Sequence, residues 1–168
     1  MKYNIRYILI GLLLLFIGAL VYLFDRPPDQ TYFIFALPFQ FSLYNIYPPL
    51  FGFIGGFLPH FLHTSAFILL TAGIMDCGKK GYLAICLFWL TINIGFELGQ
   101  KYNAHAAGLV PDWFEGVFLL ENTKGYFLHG TYCRLDMAAI IIGCVFAYIF
   151  LVYNHNKRGG HEYKSKTV

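Results

Sequence analysis

Polar side chains of three types lie close together at the end of a strongly apolar segment. Asn93, Glu97 and Gln100 follow one another at intervals of four and three residues, so a helix carries all three on one face. A carboxylate at the end of a segment that is apolar enough to cross a membrane is energetically costly unless a partner residue or a ligand binds it. The spacing therefore predicts a polar site centred on Glu97.

Two other apolar segments begin with residues of complementary chemistry. His60 and His63 open one of them, and Arg134 and Asp136 open the other. A histidine beside two carboxylates can do acid–base chemistry, because burial and like-charge proximity raise carboxylate pKa values. The same groups are ligands for a divalent cation. In a third interpretation they recognise a lipid headgroup: Arg134 or His63 meets phosphate, and the carboxylates accept hydroxyls or amines.

A purely structural role is the alternative for each of these residues. Polar groups near helix ends often hydrogen-bond to one another and hold a helix bundle together. Intramembrane acids are usually functional, which favours function for Glu97 and Asp136. For His60, Gln100 and Asn93 the structural role is the favoured interpretation.

The composition is that of an all-α integral membrane protein. Hydrophobic residues make up 58%, charged residues 12%, and the mean hydropathy is +0.57, whereas soluble domains contain about 25% charged residues. The net charge of +3 gives no reason to expect a nucleic-acid partner. The four cysteines lack metal-ligand spacing and are expected to be buried as small apolar residues. No nucleotide, haem or flavin motif is present, so no cofactor is predicted.

Hydropathy predicts four membrane spans, at about 7–24, 57–75, 82–100 and 131–153. Residues 1–153 then form one transmembrane domain, and 154–168 form a basic cytoplasmic tail that is expected to be disordered. Gly11 and Gly18 predict a close-packing stripe on the first span. On the fourth span, small residues share the face of Asp136, namely Ala139, Gly143 and Ala147.

Two further segments are expected to lie in the extracytoplasmic interface. Residues 31–58 are apolar but contain Pro38 and Pro48-Pro49, so short interfacial helices or a re-entrant loop are favoured over a fifth span. Residues 111–120 combine an apolar cluster with two acids, which predicts an interfacial helix too short to cross.

The distribution of Lys and Arg predicts the orientation. In the four-span arrangement eight of them lie on one side and four, Arg26, Lys101, Lys124 and Arg134, on the other. The rule that cytoplasmic loops are enriched in positive charge places both termini in the cytoplasm. Helix alternation then brings the site residues to a common depth on the outer side: His60, His63, Asn93, Glu97, Gln100, Arg134 and Asp136.

The order of these motifs resembles that of the VanZ-like family of small bacterial membrane proteins. His63-Thr64-Ser65-Ala66-Phe67 opens one span, Glu97-Leu98-Gly99-Gln100 closes the next, and Gly143 follows Asp136 by seven residues. The family pattern is a His, then E-x-x-Q, then D-x-x-x-N-x-x-G. The family's Asn falls on Ile140 here, and Arg134 stands closer to Asp136 than the family's Arg does. The resemblance implies a multi-pass protein of the bacterial plasma membrane that acts on lipid-linked or cell-wall precursors, as in teicoplanin resistance.

The leading prediction is an envelope protein whose outward polar site binds, or also modifies, a membrane lipid or a lipid-linked precursor. Its candidate catalytic residues are His63, Glu97 and Asp136, and its candidate binding residues are Asn93, Gln100, Arg134 and His60. Whether the protein is an enzyme is left open. One alternative is a non-catalytic subunit of a larger membrane complex. Another is a metal-dependent intramembrane hydrolase that uses His60, His63, Glu97 and Asp136.

Overall fold

The computed structural model describes residues 3–27, 42–75, 77–117 and 120–165, with side chains described as far as residue 157. All regular secondary structure in these ranges is helical, which confirms the all-α prediction. The helices are α1 (Ile5–Asp25), α2 (Leu58–Ile74), α3 (Lys79–Lys101), α4 (Asn103–Gly108), α5 (Thr123–His129) and α6 (Arg134–Ser165), with short 3-10 helices at Gly52–Gly56 and Asp112–Phe114.

Within the described ranges, three helices are long and apolar enough to cross a membrane. They are α1, α3 and the part of α6 from Arg134–Lys157. Three such helices are compatible with the predicted multi-pass membrane protein. Helix α2 is also apolar but has 17 residues, fewer than the other three.

Helix α2 is the centre of the bundle and contacts α1, α3 and α6. A helix that is apolar all round needs neighbours on every side, and α2 has them. Against α1, a Cβ added to Gly11 would lie 2.8 Å from the Leu70 side chain, and one added to Gly18 would lie 3.1 Å from His63 Nε2. The predicted close-packing stripe on the first span is therefore confirmed, and it faces α2.

Helix α6 packs on α2 through its small residues, as the sequence predicts. Asp136, Ala139, Gly143 and Ala147 are all buried. The Ser65 hydroxyl donates a hydrogen bond of 3.1 Å to the Gly143 carbonyl, so the two backbones approach closely at this level. Such close approach is typical of membrane helices with small residues at the contact.

The opposite end of the bundle is an apolar and aromatic core. The Tyr7 ring lies edge-on to Tyr82 at 6.5 Å and to Phe150 at 6.1 Å between centroids. Cys86 and Cys144 are buried here, and all four cysteines of the chain are free. The prediction of small buried apolar residues is confirmed for Cys86 and Cys144, whereas Cys77 and Cys133 are only partly buried.

The described part of the 31–58 segment is irregular and is attached to the end of α1. The Asp25 carboxylate accepts hydrogen bonds from the backbone N–H groups of Leu50 and Phe51, at 2.8 and 2.9 Å. Arg26 donates a hydrogen bond to the Gly56 carbonyl. Residues 42–57 form no span and only the 3-10 helix Gly52–Gly56, and residues 28–41, including Pro38, lie outside the described ranges.

Two predicted boundaries differ from the structure. In the 111–120 segment only Asp112–Phe114 is helical, so the predicted interfacial helix is wrong for the described residues; residues 118–119 are not among them. Helix α6 continues to Ser165, so the expectation of disorder after Tyr153 is wrong for 154–165. The His155 ring packs edge-on against Tyr82 at 5.8 Å, which holds the first turn of this extension on α3.

Candidate functional site

Three helix ends meet in a compact polar cluster formed by His60, Glu97 and Asp136. His60 lies in the first turn of α2, Glu97 in the last turns of α3 and Asp136 in the first turn of α6. His60 Nε2 is 3.0 Å from Glu97 Oε1, and His60 Nδ1 is 3.4 Å from Asp136 Oδ1. The sequence predicts that these helix ends converge, and in the structure they do.

The cluster is withdrawn from solvent and its hydrogen bonding is incomplete. Glu97 is 2% exposed, Asp136 is also buried, and His60 is partly buried. Glu97 Oε2, His60 Nδ1 and Thr64 Oγ1 are buried and have no hydrogen-bond partner among the residues that the structure describes. The 3.4 Å approach of His60 Nδ1 to Asp136 allows charge attraction, but its direction does not make a hydrogen bond. Because buried polar atoms are normally satisfied, the site has capacity to bind a further polar group.

His63 lies outside this cluster, contrary to the prediction that it faces Glu97 and Asp136. Its ring stacks on Tyr22 of α1, with centroids 5.8 Å apart, and lies against Gly18. Three residues along a helix turn a side chain by about 60° relative to His60. That rotation directs His63 towards α1. His60 therefore occupies the position beside Glu97 and Asp136 that was predicted for His63.

The other predicted binding residues lie around the cluster rather than in it. Asn93 donates a hydrogen bond of 2.7 Å to the Trp89 carbonyl of its own helix. Gln100 forms a hydrogen bond with the Tyr126 hydroxyl and packs against Gly130. Arg134 is exposed and makes no ion pair with any residue that the structure describes. Direct roles of these three residues in ligand binding stay predictions.

Sequence reasoning missed two neighbours of the cluster, Arg26 and Tyr126. The Arg26 guanidinium lies 5.4 Å from the centre of the Tyr22 ring and acts electrostatically on Asp136. Burial, and then the charge of Glu97, raises the pKa of Tyr126, so its hydroxyl stays protonated at neutral pH. Arg26 follows the first span at the same depth as the other helix ends, and helix alternation alone would have found it. Nothing in the sequence distinguishes Tyr126 from the other tyrosines.

An open apolar groove of about 530 Å³ lies between α3 and the α4–α5 region. Phe96 and Gly99 of α3 line one side of it. At about 100° per residue, the α3 residues that line the groove are turned by roughly 100 to 200° from Glu97, so the groove lies on the opposite face of the same helix end. The remaining lining includes Tyr102, Leu109, Phe114 and Phe127. The apolar lining suits a hydrocarbon chain better than a polar ligand.

The cluster also has the composition of a cation site. His60, Glu97 and Asp136 each offer one ligand atom, and these atoms lie within 4.8 Å of one another. The same three groups contain an imidazole between two carboxylates, which is the composition of an acid–base pair. The geometry is therefore compatible with cation binding, proton transfer or recognition of hydroxyl and amine groups.

Comparisons with protein-family models, with curated proteins and with solved structures found no match. The VanZ-like resemblance of the motifs accordingly stays a prediction.

Proposed function

We propose that the chain is a VanZ-like, four-span envelope protein whose outward polar site binds a membrane lipid or a lipid-linked cell-wall precursor. One observation carries this proposal. Glu97 is 2% exposed, has one carboxylate oxygen without a hydrogen-bond partner in the described ranges, and lies beside His60 and Asp136 where long apolar helices end or begin. An intramembrane carboxylate in such surroundings is costly, and ligand binding is the usual reason for keeping it.

The antiparallel packing of α1 and α2 supports four spans. The Asn4 N–H donates to the Gly73 carbonyl at one end of the pair, with an N to O distance of 2.7 Å. At the other end, a Cβ added to Gly55, just before α2, would lie against the Asp25 carboxylate. Helix α2 with its flanking residues therefore covers the same depth as α1. Its 17 residues also meet the lower limit of roughly 17 for a span.

Cysteine accessibility tests the span count and the orientation. In a background with Cys77→Ser and Cys133→Ser, Lys80→Cys places a thiol at the start of α3 and His105→Cys places one after its end. Four spans with cytoplasmic termini predict that an impermeant thiol reagent labels His105→Cys in intact cells. Lys80→Cys is expected to react only after the cells are permeabilised.

A three-span arrangement reverses this result. If α2 does not cross and the N-terminus is cytoplasmic, the start of α3 lies outside and its end lies inside. Labelling of Lys80→Cys but not His105→Cys in intact cells would therefore contradict the four-span proposal. The parent background without either new cysteine gives the baseline, because Cys86 and Cys144 are buried.

The polar cluster and the apolar groove lie at the same end of α3, on opposite faces, and their chemistry suits the two ends of a lipid. Glu97 and Asp136 can accept hydrogen bonds from headgroup hydroxyls or amines. Arg134 is exposed and Arg26 is partly buried at the same end of the bundle, and both are suited to bind phosphate. The apolar groove beside α3 can receive a hydrocarbon chain. If the protein also modifies its ligand, His60 between the two carboxylates is the group placed for proton transfer.

The lipids that co-purify with the protein test the proposal. The full chain is purified in mild detergent, and mass spectrometry identifies the retained lipids. A double variant, Glu97→Gln with Asp136→Asn, is expected to lose one lipid class that the natural protein retains. The matched control is Glu115→Gln with Asp112→Asn, which changes two exposed loop acids. Equal retention of every lipid class by the two variants would refute lipid recognition by this cluster.

The same purification addresses the alternative of an accessory subunit. Apolar side chains exposed along α6, including Ile141, Ile142, Val145 and Ile149, suit either lipid tails or a partner helix. Stoichiometric recovery of a larger membrane protein would favour the subunit alternative. Recovery of the chain alone or as a small oligomer would favour a self-contained lipid-binding protein.

A further inference from the structure

We infer that His60, Glu97 and Asp136 bind a divalent transition-metal ion, and that the bound ion receives an anionic oxygen of the lipid headgroup. The evidence for the metal site is the chemistry and the positions of the three side chains, and it does not depend on any lipid. Only its link to a headgroup rests on the proposed function.

The charge of the cluster is the first reason for a cation. A pair of ionised carboxylates beside a neutral imidazole would carry a net negative charge, and Glu97 and Asp136 are both buried. A phosphate-bearing headgroup would be repelled by this pair. A divalent ion offsets the cost of burying the two like charges and reverses the sign of the local field. It thereby lets an acidic cluster bind an anionic ligand.

The positions of the ligand atoms are the second reason. One atom from each of the three residues lies within 4.8 Å of the others. Nitrogen and oxygen ligands at about 2.0 to 2.2 Å from one ion lie roughly 3 to 4 Å apart, so the side chains need to contract by only about 1 Å. Three protein ligands leave at least one coordination position open. Such a position is where a headgroup oxygen or a water can bind.

The unsatisfied polar atoms are an independent third observation. Glu97 is almost fully buried, and within the described part of the chain neither its Oε2 nor His60 Nδ1 has a hydrogen-bond partner. A cluster that existed only to tie three helices together would be expected to use these atoms among its own members. Both belong to residues of the proposed ligand set, where an ion would satisfy them.

The ligand types indicate which ions the site prefers. An imidazole with two carboxylates suits zinc, manganese or ferrous iron, whereas calcium and magnesium prefer sites built from oxygen alone. No cysteine belongs to the cluster among the described residues. A soft, thiolate-bound ion is therefore not expected.

Metal titration of the purified full chain tests the inference. The protein carries an affinity tag without histidines, is stripped of metal with a chelator, and is titrated with Zn²⁺ alone by calorimetry. Cobalt(II), whose visible absorption reports its ligand field, serves as a second probe. The natural protein is expected to bind one ion per chain at high affinity. Glu97→Gln and Asp136→Asn are each expected to weaken binding about 100-fold, since even residues that only orient metal ligands change affinity by 10- to 100-fold.

Matched controls separate this site from surface binding. His105→Gln and Glu115→Gln change exposed residues of the same chemical types and are expected to bind as the natural protein does. Size-exclusion chromatography shows whether each variant is folded and monodisperse. Absence of a bound ion, or equal affinity in the natural protein, the cluster variants and the controls, would overturn the inference.

Lipid retention distinguishes this inference from the proposed function. If Glu97→Gln loses its lipid but the natural protein binds no ion, the metal site is refuted and headgroup recognition stands. If the natural protein binds one ion through the cluster but its lipids are unchanged in the variants, the metal site stands and the proposed function is refuted.

Discussion

Replacing Glu97 by glutamine is expected to reduce lipid binding strongly while leaving the unfolding temperature of the metal-free protein unchanged or higher. Glutamine has the same shape as glutamate, and its carbonyl oxygen can accept a hydrogen bond from His60 Nε2, which lies 3.0 Å from Glu97 Oε1. The substitution removes a buried negative charge next to Asp136, which relieves repulsion. Loss of one charge-assisted contact to the ligand costs about 1.5 to 3 kcal/mol, or about 10- to 100-fold in affinity.

Two measurements on one preparation separate function from packing. Lipid phosphorus per mole of protein reports ligand binding, and thermal unfolding in the same detergent reports stability. Functional sites often carry strain that lowers stability, so a functional role predicts that the two readouts diverge. A lower unfolding temperature with unchanged lipid content would show that Glu97 only ties the helices together. Glu115→Gln, at an exposed loop position, is expected to change neither value.

Replacing Gly143 by valine is expected to cause the largest loss of stability in the bundle. A Cβ at this position would lie 2.7 Å from the Phe61 carbonyl oxygen and 3.1 Å from Ser65 Oγ. The first of these is backbone and cannot rotate away, so α2 and α6 must move apart. Overpacking of this kind costs about 1 to 3 kcal/mol. Because His60 and Asp136 lie on the two separated helices, the polar cluster is expected to open as well.

Gly95→Ala is the matched control for this substitution. Gly95 also lies in a membrane-spanning helix, but a Cβ added there meets nothing within 4 Å. Alanine is expected to leave stability unchanged or to raise it by about 0.5 to 1 kcal/mol. Thermal unfolding of both variants checks the pair, and lipid phosphorus is a second readout for Gly143→Val only, because Gly95 lines the apolar groove. If Gly143→Val unfolds at the natural temperature, the close contact between α2 and α6 does not exist.

The depth of the polar residues could be predicted from the sequence because helix alternation fixes it. Glu97 closes one apolar segment, and His60 and Asp136 open two others, so consecutive crossings bring them to the same side. Small residues at Gly11 and Gly143 likewise indicated which helix faces pack closely, and the structure has those contacts. Both inferences use only local periodicity and the order of the segments.

The choice between His60 and His63 could not be predicted in the same way. Both open the same helix, and the residue that faces the acids depends on the rotation of α2 about its axis. That rotation is set by its contacts with α1 and α6, since Gly18 lies against His63 while Gly143 lies against Phe61. These are long-range contacts, which periodicity within one segment does not report. The roles of Asp25 and Tyr126 likewise depend on contacts with segments that connect the long helices. They could not be predicted from the sequence because these contacts are also long-range.

Ile140 is a position at which this chain departs from the VanZ-like sequence pattern that it otherwise resembles. Ile140 is fully buried one turn after Asp136, at the position where the VanZ-like pattern has an asparagine. An amide is therefore missing from α6 next to the cluster. The chemistry proposed for this protein accordingly rests on His60, Glu97 and Asp136, without a contribution from that position.

A cryo-electron microscopy structure of the full chain in nanodiscs of its native lipids tests the central claim most directly. The claim is that three helix ends form one ligand site at the outer side of the membrane. The predicted result is headgroup density, directly or through a metal ion, in contact with His60, Glu97 and Asp136, and a lipid chain in the groove beside Phe96. A map in which these three side chains contact only one another, with all headgroup density elsewhere, would contradict it.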